Sequence, residues 1–160
     1  MTTENLLIWN VRGLNARARR NVVRDLAADQ HVSLVCFQET KLDTCTDAIV
    51  PVHTCVGILL AWNRDIWSAN TPIFRAHSIS AHITLKASGE SWWLTVVYGP
   101  QGDQNKIQFL EELRALRQSC SRMWMICGDF NIIYKATDKS NGRLHRRMMG
   151  RFRRLIDVTP

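Results

Sequence analysis

Four stretches of this chain set an oxygen-bearing side chain at the end of an apolar run. Trp9 is followed by Asn10, Phe37-Gln38 by Glu39, Val97 by Tyr98, and Cys127-Gly128 by Asp129-Phe130-Asn131. Ligand and catalytic groups are common at strand carboxyl ends, because the strand fixes the backbone while the following loop exposes the side chain. Asp129 and Asn131, two apart, face the same way if strand geometry persists. Glu39 with Asn10 supplies hard oxygen ligands, which suit Mg²⁺ or Mn²⁺ and not a soft metal. Asp129 can orient or deprotonate an attacking water, while Asn131 and Tyr98 can donate to phosphate oxygens. Taken singly, each also has a plain structural use. An acid at a strand end caps helices or sits solvated in a turn, Asn10 forms turns, and Tyr98 fits a core with its hydroxyl wet.

These positions need elements that end together. Leu6 to Trp9 reads as a short buried strand, followed by a turn with Gly13 and with Asn15 as an N-cap. Residues 16–30 read as a helix with Val22, Val23, Leu26 and Ala27 on one face, and Val32 to Phe37 as a second strand. Strand, helix, strand is a βαβ unit, so the two strands are expected to be parallel, with Asn10 and Glu39 at one sheet edge. Gly57 to Trp62, Ile79 to Lys86 and Trp92 to Tyr98 are strands without intervening helices, an antiparallel meander. Trp92 and Trp93 should point to opposite faces. Residues 104–120 return to helix through Ile107, Leu110, Leu113 and Leu116, and Met123 to Cys127 is another buried strand. Leu144, Met148, Phe152 and Leu155 make residues 143–156 an amphipathic helix with an arginine outer face. Mixed strands with segregated helices predict an α/β protein with two sheets covered by helices.

Composition bounds the alternatives. At 160 residues and 46% apolar, the chain suits one globular domain over 1–160 and is not disordered. No apolar run reaches the roughly 18 residues that cross a bilayer. The first residues, Met1-Thr2-Thr3-Glu4-Asn5, carry no basic segment ahead of an apolar one, so no signal peptide is expected and the protein is read as intracellular. Five cysteines without a CxxC pair, Cys36 and Cys127 among them in apolar strands, fit a reducing compartment and argue against a zinc site. The five histidines are isolated in sequence and are read as structural. Net charge is +7, and residues 143–154 alone carry six Arg and no acid, so an anionic partner is expected.

Together, WNVRGLN at 9–15, FQETKL at 37–42, VVYGP at 96–100 and GDFNII at 128–133 resemble the endonuclease/exonuclease/phosphatase superfamily. They look most like the apurinic-endonuclease-like domain of plant non-LTR (LINE-type) retrotransposon polyproteins, and the tail NGRLHRRMMGRFRRLID is similar to the same elements. The resemblance implies a DNase I-like four-layer sandwich and a Mg²⁺- or Mn²⁺-dependent phosphodiesterase that nicks DNA, leaving the 3′-hydroxyl that primes reverse transcription. It places Glu39 and Asn10 at the metal, Tyr98 near the phosphate, and Asp129 with Asn131 at the attacking water. It implies DNA as partner, no membrane, no cofactor beyond the metal, and a nuclear location if the protein acts on DNA. The shared core residues also suit RNA, a phosphoinositide or a sphingolipid; the retrotransposon-like motifs favour DNA.

The chain departs from that pattern in two places. A terminal Ser-Asp-His motif is absent, so the expectation is a C-terminally truncated domain lacking the last part of its second sheet, with impaired or no activity. Residues 47–57 also look too short for the loop and extra strand usual there. The competing reading is a catalytically dead remnant that binds nucleic acid through Arg143, Arg146, Arg147, Arg153 and Arg154.

Overall fold

Side chains alternate along a strand, so residues two apart share one face of a sheet. Leu34 and Cys36, then Ile58, Leu60 and Trp62, then Ile79, Ala81 and Ile83, then Leu94 and Val96 follow that spacing. In the computed structural model they meet in one buried layer between two sheets. The structure describes residues 4–42, 52–55, 57–120, 123–140 and 142–157. One sheet comprises β1 (Asn5–Asn10), β2 (Val32–Gln38), β3 (Val52–Cys55) and β4 (Ile58–Trp62), in the order β1-β2-β4-β3. The other comprises β5 (Trp67–Phe74), β6 (Ser78–Leu85), β7 (Ser91–Tyr98) and β8 (Trp124–Asp129), in chain order. The neighbouring Cys127 thiol, from the other sheet, together with burial pushes the Cys36 thiol well up from its ordinary range.

Each outer face is covered by helix. On the first sheet, Phe37, Leu59 and Ala61 pack with Val11, Leu14 and Val23, the last from α1 (Arg17–Asp29). On the second, Val97 packs with Phe109, Leu113 and Leu116 of α2 (Asp103–Ser119). Met148 and Phe152 of α3 (Arg146–Asp157) then pack on Leu110 of α2, with the Phe152 and Phe130 rings 5.0 Å apart. The layers run helix, sheet, sheet, helix, which is the expected two-sheet α/β sandwich. Among the described residues, no helix is long and apolar enough to cross a membrane.

The parallel β1/β2 pair is present as expected, but the meander is composed differently. The strand at Ile58–Trp62 pairs with β2 in the first sheet, and β5, β6 and β7 form the antiparallel run. WSANTPIF hides β5 because its polar centre breaks the alternation. There the ladder shifts register between Asn70 and Ile73, and Thr71 takes φ +53°. A strand, β3, also lies in the stretch expected to be too short for one; Cys45 falls outside the described residues. Asn15 does not cap α1. Ala16 holds that position without a side-chain bond, and Arg20 Nη1 instead donates to the Leu14 and Asn15 carbonyls at 2.8 and 2.6 Å. Of the face expected on α1 only Val23 is buried, and Val22 is 59% exposed. Trp92 and Trp93 do diverge: one ring stands edge-on to Trp67, the other on His82.

Two glycines test the packing in opposite directions. Gly128 has φ +123°, and a Cβ there would lie 2.2 Å from the Val97 carbonyl oxygen, whereas one at Gly150 meets nothing within 4 Å. Gly128→Ala is expected to cost at least about 2 kcal/mol through left-handed strain and overlap with backbone. Gly150→Ala, in a helix interior, is expected to add about 0.5–1 kcal/mol. Urea unfolding of the two variants checks both signs; a wild-type midpoint for Gly128→Ala would contradict this packing.

Candidate functional site

Four strand ends converge because both strand pairs involved are parallel. Asn10 is the register partner of Gln38 in β1/β2, and Tyr98 that of Asp129 in β7/β8. The inter-sheet core sets the two pairs face to face, and Asn10 Nδ2 donates to Asp129 Oδ2 at 3.2 Å, from one sheet to the other. The second Asp129 oxygen accepts the Asn131 backbone N–H at 3.0 Å. Asn131 Nδ2 donates to the Gly99 carbonyl at 2.6 Å, and its Oδ1 accepts from Gln101 Nε2 at 3.0 Å. Burial pushes the Tyr98 phenol above its ordinary range, and the negative charges of Glu39 and then Asp129 push the same way. Both acids therefore lie close enough to act on one hydroxyl. Asn10, Glu39, Tyr98, Asp129 and Asn131, singled out from sequence, share one site.

The backbone around these side chains is tightly specified. Past the end of β1 the ladder continues through a turn: Val11 N–H donates to the Gln38 carbonyl at 3.0 Å, Gly13 to Glu39 at 2.7 Å and Leu14 to Thr40 at 2.8 Å. From the other side, Thr40 N–H donates to Gly57 at 2.9 Å. Of the six described non-glycine residues with positive φ, Arg12, Glu39, Lys41 and Asn131 are here, between +50° and +55°. Such conformations persist only where surrounding bonds over-determine them, and they concentrate at functional sites.

Sequence reasoning missed the supporting residues. Arg19 Nη1 faces the carbonyls of Val11, Arg12 and Gly13 at 3.3, 2.5 and 3.4 Å, which ties α1 to the turn after Asn10. The Gly99 carbonyl, which can only accept, fixes which way the Asn131 amide points, and Gln101 then donates to the Oδ1 left facing it. Lys41 pairs with Glu39 at 3.4 Å. Only Lys41 carried a sequence signal, a cation two residues from a candidate acid.

Among the described residues no group of three or more His, Cys, Asp or Glu is arranged to hold a metal. The donors at the site are two carboxylates, Glu39 and Asp129, and the Asn10 amide oxygen, which accepts from Arg12 N–H at 3.3 Å. All are hard oxygens, and one or two carboxylates with open positions for water and phosphate is a donor set that fits Mg²⁺.

The arginines expected on the last helix divide. Arg143, Arg146, Arg147 and Arg154 are exposed. Arg153 turns inward: its Nε donates to the Tyr134 carbonyl at 2.6 Å and its guanidinium lies 5.5 Å from that ring's centroid, so it is not on the outer face.

Residues 7–158 match the family model described as Endonuclease/Exonuclease/phosphatase family. Among solved structures, the chain is similar to the endonuclease domain of TRAS1, a telomere-specific non-LTR retrotransposon, with 16% identity, TM-score 0.71 and coverage of 94% of this chain and 71% of that one. It is also similar to D. rerio TDP2 complexed with a single-strand DNA product, at 14% identity and TM-score 0.63, covering 80% and 60%. The human Nocturnin catalytic domain with bound sulfate gives 14% and 0.60, covering 79% and 64%. The chain thus spans less than two thirds of the Nocturnin and TDP2 chains. At these identities the likeness is one of fold. No curated protein matches in sequence.

The shared electrostatics can be read from one titration. In a Tyr134→Phe background Tyr98 is the sole tyrosine, and ultraviolet titration in metal-free buffer is expected to show it ionising above the ordinary 10.0. Glu39→Gln or Asp129→Asn should each bring it down. A folded protein that holds this proton more tightly than the unfolded chain keeps the full Tyr98 contribution below about pH 10 and loses it as pH rises through the folded value. A midpoint unmoved by both substitutions would separate the two acids from Tyr98.

Proposed function

The chain belongs to the Endonuclease/Exonuclease/phosphatase family, and on that footing we propose that it is a divalent-metal-dependent phosphodiesterase acting on DNA. The observation that carries this reading is the Asn10–Asp129 hydrogen bond between the two sheets, with Tyr98 under the influence of both Glu39 and Asp129. Glu39 and Asn10 would hold Mg²⁺ or Mn²⁺, which when bound supplies Lewis-acid stabilisation of phosphate charge. Asp129 has one oxygen on Asn10 and the other on the Asn131 backbone, so its carboxylate is held ready to orient a water or take its proton. Asn131 keeps one Nδ2 hydrogen beyond its bond to Gly99, and with the Tyr98 hydroxyl it can donate to phosphate oxygens.

DNA as the substrate is supported by the four-motif resemblance and by the fold shared with a retrotransposon endonuclease domain. The finer reading is a nick of the kind that primes reverse transcription, made in the nucleus. A second reading, retention of nucleic acid without turnover, is favoured by the exposed arginines of α3.

Supercoiled plasmid distinguishes the two. Nicking that needs Mg²⁺ or Mn²⁺, stops with EDTA and falls at least about 100-fold in Glu39→Ala and Asp129→Ala supports the enzyme. Gel retardation of the plasmid without any nicking supports retention alone, and nicking undiminished in both variants refutes the assignment of the site.

A further inference from the structure

A groove of about 770 Å³ lies between the start of α2 and α3, bordered by Gln104 and Gln108 on one side and His145, Arg147 and Arg151 on the other. Its floor is apolar, with buried Met148 and with Ile107 40% exposed. A smaller cavity of about 220 Å³, lined by Asn131, Lys106 and Lys139, shares Asp103, His145 and Met148 with the groove. Asp103, His145 and Met148 thus stand between the groove and a cavity that borders Asn131 of the candidate site.

Charge in the groove is one-sided. Its acid, Asp103, already has the Lys106 ammonium at 3.7 Å and the His145 Nε2 at 3.3 Å. Among the described residues neither Arg147 nor Arg151 has an ion-pair partner. His145 is held as part of the wall, because its Nδ1 accepts the Met148 N–H at 3.1 Å. Four residues of helix put about 6 Å of rise between Arg147 and Arg151. Phosphates follow one another at about 3.4 Å of axis per nucleotide along a strand, so two flexible guanidiniums one turn apart can reach neighbouring phosphates. An apolar floor with glutamines opposite the arginines suits a strand that also carries bases and sugars, which an isolated phosphate does not.

We propose that this α2/α3 groove binds the stretch of nucleic-acid strand flanking the phosphodiester held at the Asn10–Asp129 site, with Arg147 and Arg151 on its phosphates. The inference rests on the nucleic-acid reading of the site, but it assigns a contact that the net charge of the helix does not. It includes Arg151 and leaves out Arg153, whose guanidinium is held by Tyr134.

Binding is measured by fluorescence anisotropy of a labelled DNA oligonucleotide in EDTA, so that turnover plays no part. Arg147→Glu/Arg151→Glu is compared with Arg17→Glu/Arg24→Glu, an equal charge change on the exposed face of α1. The groove variant is expected to bind at least about tenfold more weakly and to lower the slope of log affinity against log salt by about two, the loss of two phosphate contacts. The α1 variant should lower the slope by less than one. Thermal unfolding of both variants guards against a folding defect, and Arg147→Gln/Arg151→Gln gives the same readout with less repulsion. Equal effects from the two charge reversals, no binding by the wild-type chain at low salt, or equal competition by poly-glutamate would each overturn the proposal. A wild-type chain that nicks plasmid while the groove variant binds normally refutes the groove alone. A chain that never nicks but loses binding in the groove variant refutes the enzyme reading alone.

Discussion

The inter-sheet packing is the constraint on which the site depends. Asn10 and Asp129 belong to different sheets and lie 119 residues apart, and their hydrogen bond exists only if both sheets keep their register and their spacing. That spacing is set by residues far from any chemistry, Leu34, Leu60, Ile79, Ala81 and Leu94 among them, all buried in a single layer. Because side chains alternate, a one-residue slip in β2 or β8 would move Glu39 or Asp129 off the site and turn core residues outward in the same step. The stability of the core and the geometry of the site are one requirement.

Strain at the site follows from the same arrangement. Glu39 and Asn131 sit where an extended strand must stop abruptly while its next side chain faces a shared point, and both are left-handed there. A non-glycine residue in that region costs of order 1–3 kcal/mol, which the flanking bonds must offset. They do so from several directions: Gly13 and Gly57 bracket the backbone on either side of Glu39, and Gln101 and Gly99 hold the Asn131 amide. Arg19 extends the same support to the turn after Asn10.

The parts of this arrangement legible in sequence are those written locally. The βαβ unit, α2 and the α3 stripe show in apolar periodicity, and the five site residues show because each ends an apolar run. What could not be read is non-local. Assignment of Ile58–Trp62 to the first sheet depends on pairing with β2, and its five buried residues suit either sheet equally. β5 was hidden because edge pairing tolerates the polar Asn70-Thr71-Pro72 centre. Arg19 and Gln101 could not be singled out, since nothing in their neighbourhoods announces a carbonyl or amide brought in from another element.

The last helix shows why charge alone is a poor guide to contact. Tyr134 donates its hydroxyl to Asp157 at 2.5 Å, and its carbonyl accepts from Arg153, so α3 grips the segment that leaves Asn131. Ile132 and Phe130 pack against the same helix. One face of α3 therefore fixes the loop that carries a site residue, while the opposite flank presents Arg147 and Arg151 to the groove. Arg153 and Arg151 differ by two positions, a rotation of about 200° on a helix. That rotation separates a residue that holds the site's backbone from one free to meet a polyanion, although both add the same unit to the net charge.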